Sequence, residues 1–168
     1  MRPNSAATAI LIGGGIAGLC DITYAIVFSW AMRGTSPLRL LQSVASGLLG
    51  KSAFDGGWFT AALGLCLHFF IALSAAVIFY LASRIFPVLA RQAFLAGAVY
   101  GLAIYTVMNL VVLPLSAFPF PMKFAPLATI TGVLVHIFLV GVPIAFAIRR
   151  WVPVARSSRA AHAISPGT

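Results

Sequence analysis

Four long apolar runs constrain the fold of this chain more than any other feature of its sequence. An α-helix needs about 20 consecutive apolar residues to cross the hydrocarbon core of a bilayer. We predict spanning helices at residues 7–32, 59–83, 93–115 and 126–148. The expected fold class is therefore all-α, an integral membrane four-helix up-and-down bundle that forms a single domain over residues 1–168.

The composition indicates that lipid is the main solvent of the chain. Hydrophobic residues make up 61% of the sequence and charged residues only 8%, whereas a soluble domain has about 25% charged residues. The only carboxylates belong to Asp21 and Asp55. The net charge of +9 does not indicate a nucleic acid partner, because the basic residues lie at the ends of the apolar runs and form no basic stripe. They favour contact with anionic lipid.

A shorter segment at residues 36–50 carries its own helix signal. Ser36 followed by Pro37 is a hydroxyl cap with proline in the first turn. Leucine and alanine recur on one face of the segment, while Gln42 and Ser46 fall elsewhere. The segment is too short to cross a bilayer. We therefore expect an extra amphipathic helix between helices 1 and 2, either interfacial or re-entrant.

The distribution of lysine and arginine predicts the orientation. An even number of spans puts both termini on one side, together with Arg2, Arg84, Arg91, Arg149, Arg150, Arg156 and Arg159. The other side holds Arg33, Arg39, Lys51 and Lys123. The positive-inside rule then predicts a multi-pass protein of the bacterial inner (plasma) membrane with both termini in the cytoplasm. Residues 152–168 are polar and basic, and we expect a mobile tail there.

Each predicted spanning helix contributes one strongly polar residue to a candidate site. These residues are Asp21, His68, Asn109 and His136. A rise of about 1.5 Å per residue from the middle of each run places all four in one layer near the midplane, with Tyr24 and Tyr105 beside it. Ionisable groups at that depth are costly and normally face the interior of a bundle. We expect the layer to be interior.

Glycines fall on the same helix faces as this layer, and we predict that they are sites of close helix packing. They are Gly14, Gly18, Gly64, Gly97, Gly101 and Gly132. Four helices are few for a pore, so a translocation site would require a homo-oligomer or another membrane partner. The expected contact surface for it is formed by Gly13, Gly14, Gly15, Ala17 and Gly18.

Three interpretations of the polar layer remain open. In the first, the side chains hydrogen-bond between helices and fix their register. In the second, Asp21 and the histidines support the movement of a small solute, an ion or protons. In the third, His68 and His136 on diagonal helices ligate haem b, with Gly64 and Gly132 leaving room for the porphyrin edge. The first two need no cofactor.

Enzyme signatures are missing from the sequence, which contains no G-x-S-x-G, no H-E-x-x-H and no P-loop. We therefore expect no enzyme. A divalent metal site is not expected either, because no ligand pair has i,i+4 spacing. The glycine-rich first helix followed by an acidic residue, GGGIAGLCD at 13–21, resembles small bacterial inner-membrane proteins of the YagU-like kind. The resemblance also rests on the four-helix layout and implies an architecture but no activity.

Overall fold

The computed structural model describes residues 5–121 and 124–151. Within these ranges the chain is helical and contains no strand. Four helices are long and apolar enough to cross a membrane, which confirms the predicted all-α class and the number of candidate spanning helices. The predicted tail at 152–168, together with Arg2 and Lys123, lies outside the described residues.

The described chain forms four long and two short helices. In chain order they are α1 (Ser5–Arg33), α2 (Pro37–Leu49), α3 (Gly57–Ile85), α4 (Val88–Arg91), α5 (Ala93–Leu115) and α6 (Pro126–Trp151). A 3-10 turn, Gly50–Phe54, connects α2 to α3. The long helices α1, α3 and α6 extend slightly beyond the predicted runs, because residues near the ends of an apolar run can continue the helix into the interface.

Helix α2 begins at the predicted cap and packs against α3. The Ser36 hydroxyl accepts a hydrogen bond from the Arg39 amide at 3.3 Å. The helix ends at Gly50, whose φ of +64° is a left-handed conformation that favours glycine. The assignment of Gln42 and Ser46 away from the buried face was wrong, since both are buried. Their burial is tolerated because Gln42 Nε2 donates to the Gly57 carbonyl at 3.1 Å and the Ser46 hydroxyl donates to a backbone carbonyl.

The four long helices are not equally close to one another. Helix α1 packs against both α3 and α6, and α6 packs against α5. Helices α3 and α5 approach at few points. One such point is Tyr100, whose hydroxyl donates to the Ala75 carbonyl at 2.7 Å and whose ring lies against Phe79.

The hydrophobic core lies at one end of the molecule, where α1 begins and α6 ends. We call residues 5–17, 73–104 and 140–151 the terminal half, and residues 18–72, 105–121 and 124–139 the α2 half. Phe79, Ile144 and Ile148 are almost completely buried in the terminal half, among alanines such as Ala9 and Ala93. The α2 half contains the candidate site.

Candidate functional site

A cavity of about 560 Å³ lies in the α2 half, between α3 and α5. Its walls are mostly apolar, but all four residues of the predicted polar layer line it, one from each long helix. They are Asp21, His68, Asn109 and His136. The cavity volume falls within the usual range of small-molecule sites, which is about 300–1,000 Å³.

Two glycines bring α1 close to α3 beside the cavity. A Cβ atom on Gly18 would lie 2.9 Å from the Phe69 ring, and one on Gly14 would lie 3.0 Å from the Leu73 side chain. Such close approach is the usual function of small residues in membrane helices. It places Asp21, one turn beyond Gly18, at the wall formed with α3.

His68 is held by α1 through the same contact. Its Nε2 lies 2.8 Å from the Gly18 carbonyl oxygen. A carbonyl oxygen only accepts, so Nε2 carries the proton and donates it. The Phe69 ring lies edge-on to the imidazole, with centroids 5.6 Å apart. The position of His68 is therefore set by α1 and its own helix.

His136 is held by α6 and lies near Asp21. Its Nδ1 donates to the Gly132 carbonyl, one turn earlier, at 2.9 Å. The Asp21 Oδ1 lies 3.8 Å from the same nitrogen. That separation is too long for a hydrogen bond but close enough for an ion pair when His136 is protonated. The side chains of Asp21 and His136 are 23% and 17% exposed, and both residues line the cavity.

Asn109 completes the layer from α5. Its Nδ2 donates to the Tyr105 carbonyl, one turn earlier, at 2.9 Å. Asn109 thus resembles His136, because each donates to the backbone of its own helix and still lines the cavity.

Asn109 and His136 also lie in the two π turns of the described chain. These turns span Met108–Val112 in α5 and His136–Gly141 in α6. Each turn ends two residues before a proline, Pro114 or Pro143. Proline has no amide hydrogen and its ring clashes with the carbonyl four residues back, which distorts the preceding turn. The prolines provide a physical reason for the wide turns, and π turns occur frequently at functional sites.

Glycines of α5 hold the π turn of α6 in place. A Cβ atom on Gly97 would lie 2.8 Å from the Val142 backbone, and one on Gly101 would overlap the His136 carbonyl. Gly132 lies against the Tyr105 ring, at 2.9 Å from a Cβ position. The backbone of α6 at His136 is therefore fixed by direct contact with α5.

The two tyrosines predicted beside the layer do not line the cavity. Tyr105 packs edge-on against the His136 imidazole, with ring centroids 5.3 Å apart. The Tyr24 hydroxyl lies 2.6 Å from the Thr131 hydroxyl and joins α1 to α6. Thr131 donates its own proton to the Leu127 carbonyl, so Tyr24 is the donor of this bond. Tyr105 therefore positions the His136 ring, and Tyr24 connects α1 to α6.

Helix α2 forms a wall of the cavity that was not predicted. Ser43 and Gly47 line it, and the Gly47 carbonyl accepts from the Ala117 amide at 2.9 Å. The Phe54 and Phe120 rings lie 5.6 Å apart, which adds a second contact between this region and the chain after α5. Helix α2 therefore connects α3 to the end of α5 across the cavity. In the sequence, Gly47 was the residue that could have indicated a close contact of α2 with another segment.

The cavity opens sideways between α3 and α5. Phe70 of α3 is 67% exposed and Val112 of α5 is 38% exposed, and both line the cavity. Both side chains project from the apolar surfaces of long helices. The opening therefore lies on the side of the molecule, among the exposed apolar side chains of α3 and α5.

The residues of the cavity do not fit a haem held by two histidines. The space expected beside Gly64 is filled by the backbone of Leu41 in α2, and the space beside Gly132 is filled by Tyr105. The Nε2 of His68 is already bonded to Gly18. Within residues 5–121 and 124–151, no group of three histidine, cysteine, aspartate or glutamate residues is placed to hold a metal ion.

No family model matches the chain, and no match was found among the curated proteins or the solved structures. The resemblance to YagU-like proteins therefore stays a prediction.

Proposed function

We propose that the chain is a multi-pass protein of the bacterial inner membrane, with α1, α3, α5 and α6 as an up-and-down bundle and both termini in the cytoplasm. Trp30 and Trp58 are exposed at the ends of α1 and α3 in the α2 half, as expected for an aromatic belt. At the opposite end, the last turns of α3 and α6 carry Arg84, Arg149 and Arg150. Helix α2 then lies at the outer interface and covers the cavity.

The proposed activity is the movement of a small solute, an ion or protons through the polar layer. The observation that carries this proposal is that four polar side chains from four helices line one cavity with mostly apolar walls. Asp21 and His136 supply a carboxylate and an imidazole 3.8 Å apart, and these groups exchange protons and bind cations in membrane pathways.

The hydrogen bonds of the layer favour this activity over a purely structural role. A layer that fixes helix register would bond side chains across helices. Only His68 bonds to another helix, whereas Asn109 and His136 donate to their own helices. In the part of the chain that the structure describes, no hydrogen bond is made to the Asp21 carboxylate. Among the described residues, hydrogen bonds of the layer therefore join different helices only at His68, in addition to the 3.8 Å approach of Asp21 to His136.

Proton flux into proteoliposomes tests the proposal. Under an imposed pH gradient, vesicles with the wild-type protein should acidify faster than protein-free vesicles, and Asp21→Asn should abolish the difference because the carboxylate is lost. Asp55→Asn is the matched control, since Asp55 is exposed in the turn before α3. The proposal fails if wild-type vesicles acidify no faster than empty ones, or if Asp21→Asn retains the wild-type rate.

A further inference from the structure

Apart from the second N–H of the Asn109 amide, the polar atoms that the layer leaves available are hydrogen-bond acceptors. Each neutral histidine has one N–H, and in both residues it is donated to a backbone carbonyl, from Nε2 of His68 and from Nδ1 of His136. The remaining nitrogens are Nδ1 of His68 and Nε2 of His136, and both accept. Asn109 donates one of its two amide hydrogens to the Tyr105 carbonyl, which leaves Oδ1 as an acceptor and one N–H. The Asp21 carboxylate adds two more acceptor oxygens.

Acceptors of this kind select a ligand with several donors and a positive charge. A primary ammonium group has three N–H donors and no acceptor. An anion would face a carboxylate and lone pairs, and an alcohol offers a single donor. Asp21 is the only carboxylate within the long helices, because Asp55 lies outside them. The negative charge of the cavity is therefore concentrated at one wall.

The rest of the cavity suits an apolar body attached to that ammonium group. Leu67, Ile71 and Val140 are among the side chains that line it. The opening between α3 and α5 lies at apolar helix surfaces, beside the exposed Phe70. A ligand with a hydrocarbon chain reaches such an opening from the bilayer and keeps its chain away from water throughout.

We infer that the cavity binds a lipophilic primary amine, which reaches it sideways from the bilayer between α3 and α5 and places its ammonium group at Asp21. This inference rests on the proposed function and names the class of solute that the layer takes. The Asp21 carboxylate accepts one charge-assisted hydrogen bond, and the other two N–H groups are accepted by two of the three remaining atoms, Asn109 Oδ1 and the free nitrogens of the two histidines.

Binding of dodecylamine to the full chain in phosphatidylcholine nanodiscs tests the inference. Radiolabelled amine is measured above the amount held by empty nanodiscs. Wild type and Asp55→Asn should bind it equally, and Asp21→Asn should bind at least about tenfold more weakly, the effect of losing one charge-assisted bond. Asn109→Leu, which removes one acceptor, should weaken binding about threefold and serves as the test if Asp21→Asn fails to fold.

Two further probes define the class. Dodecyltrimethylammonium has the charge but no N–H, and dodecanol has one donor and no charge, so both should bind at least about tenfold more weakly than the amine. The inference is overturned if either probe binds as tightly as dodecylamine, or if neither Asp21→Asn nor Asn109→Leu weakens amine binding.

The two proposals fail in distinguishable ways. Loss of proton flux in Asp21→Asn without dodecylamine binding would keep the proposed function and overturn the inference about the amine. Binding of dodecylamine that depends on Asp21, without faster acidification of wild-type vesicles, would keep the amine site and overturn the proposed function.

Discussion

The terminal half and the α2 half are built from the same four long helices but differ in how closely those helices pack. In the terminal half, Phe79, Ile144 and Ile148 fill the space between helices. In the α2 half, residues 105–115 of α5, all of which the structure describes, include no fully buried side chain, and a cavity separates α5 from α3. The main apolar core and the cavity therefore lie towards opposite ends of the four long helices.

This separation explains how a cavity can persist in a small protein. Apolar side chains gain little by leaving lipid for a helix interface, so membrane helices associate through close packing. The contacts of α5 with α6 at Gly97 and Gly101 provide such packing. They hold the helices beside the cavity, and α2 connects its two sides.

The largest effect is expected at the glycine that joins the two halves. Gly101→Ala puts a methyl group into the His136 carbonyl, and the backbone there cannot move aside. We expect a loss of about 3 kcal/mol or more in the free energy of unfolding, at the upper end for an overpacked site. Gly15→Ala is the control, because Gly15 also lies in a long helix and a Cβ there meets nothing within 4 Å.

Thermal and denaturant unfolding in nanodiscs measure both variants. Gly15→Ala should be neutral or slightly stabilising, since alanine is the better helix former by up to about 1 kcal/mol. Equal losses for the two variants would show that helix contact at Gly101 does not hold the halves together.

A smaller effect is expected from two phenylalanines of α3. Phe79 is 2% exposed in the terminal half, and Phe70 is 67% exposed at the cavity opening. Phe79→Ala should cost about 2–3 kcal/mol, less than the roughly 3–5 kcal/mol seen in water, because lipid removes the transfer term and leaves the cavity term. Phe70→Ala should change stability by less than about 0.5 kcal/mol.

Unfolding of the two variants under identical conditions compares the halves directly. If Phe70→Ala costs as much as Phe79→Ala, then the α2 half contributes a second core and the division of the molecule is wrong.

The apolar runs and the meeting of four polar residues at one cavity could be predicted, because helix length and rise per residue set the position of each residue along its helix. An apolar helix of 23 residues such as Ala93–Leu115 is long enough to cross a bilayer, whichever helices pack against it. The position of α2 could not be predicted in this way. Its packing depends on the contact of the Leu41 backbone with Gly64. No sequence pattern shared by the two segments indicates that they pair.

The π turns were within reach of the sequence but were missed. Pro114 and Pro143 lie inside the predicted spanning runs 93–115 and 126–148. A proline inside a long apolar helix indicates a distorted turn in the residues before it, and Pro114 and Pro143 follow Asn109 and His136 by five and seven residues. The cavity itself was beyond prediction, since it arises from the separation of α3 and α5, which no single helix specifies.

The smallest effect separates a functional layer from a structural one. Tyr24→Phe removes a hydrogen bond between α1 and α6 and should cost about 0.6 kcal/mol, the average for such bonds in membranes. Asp21→Asn removes no hydrogen bond that the described residues make to the carboxylate, and it should cost less than Tyr24→Phe when unfolding is measured in nanodiscs. A loss of more than about 1.5 kcal/mol for Asp21→Asn would mean that the layer holds helices together. The α2 half would then share the structural role of the terminal half, because a group that serves mainly to bind a solute leaves the stability of the empty protein almost unchanged when it is neutralised.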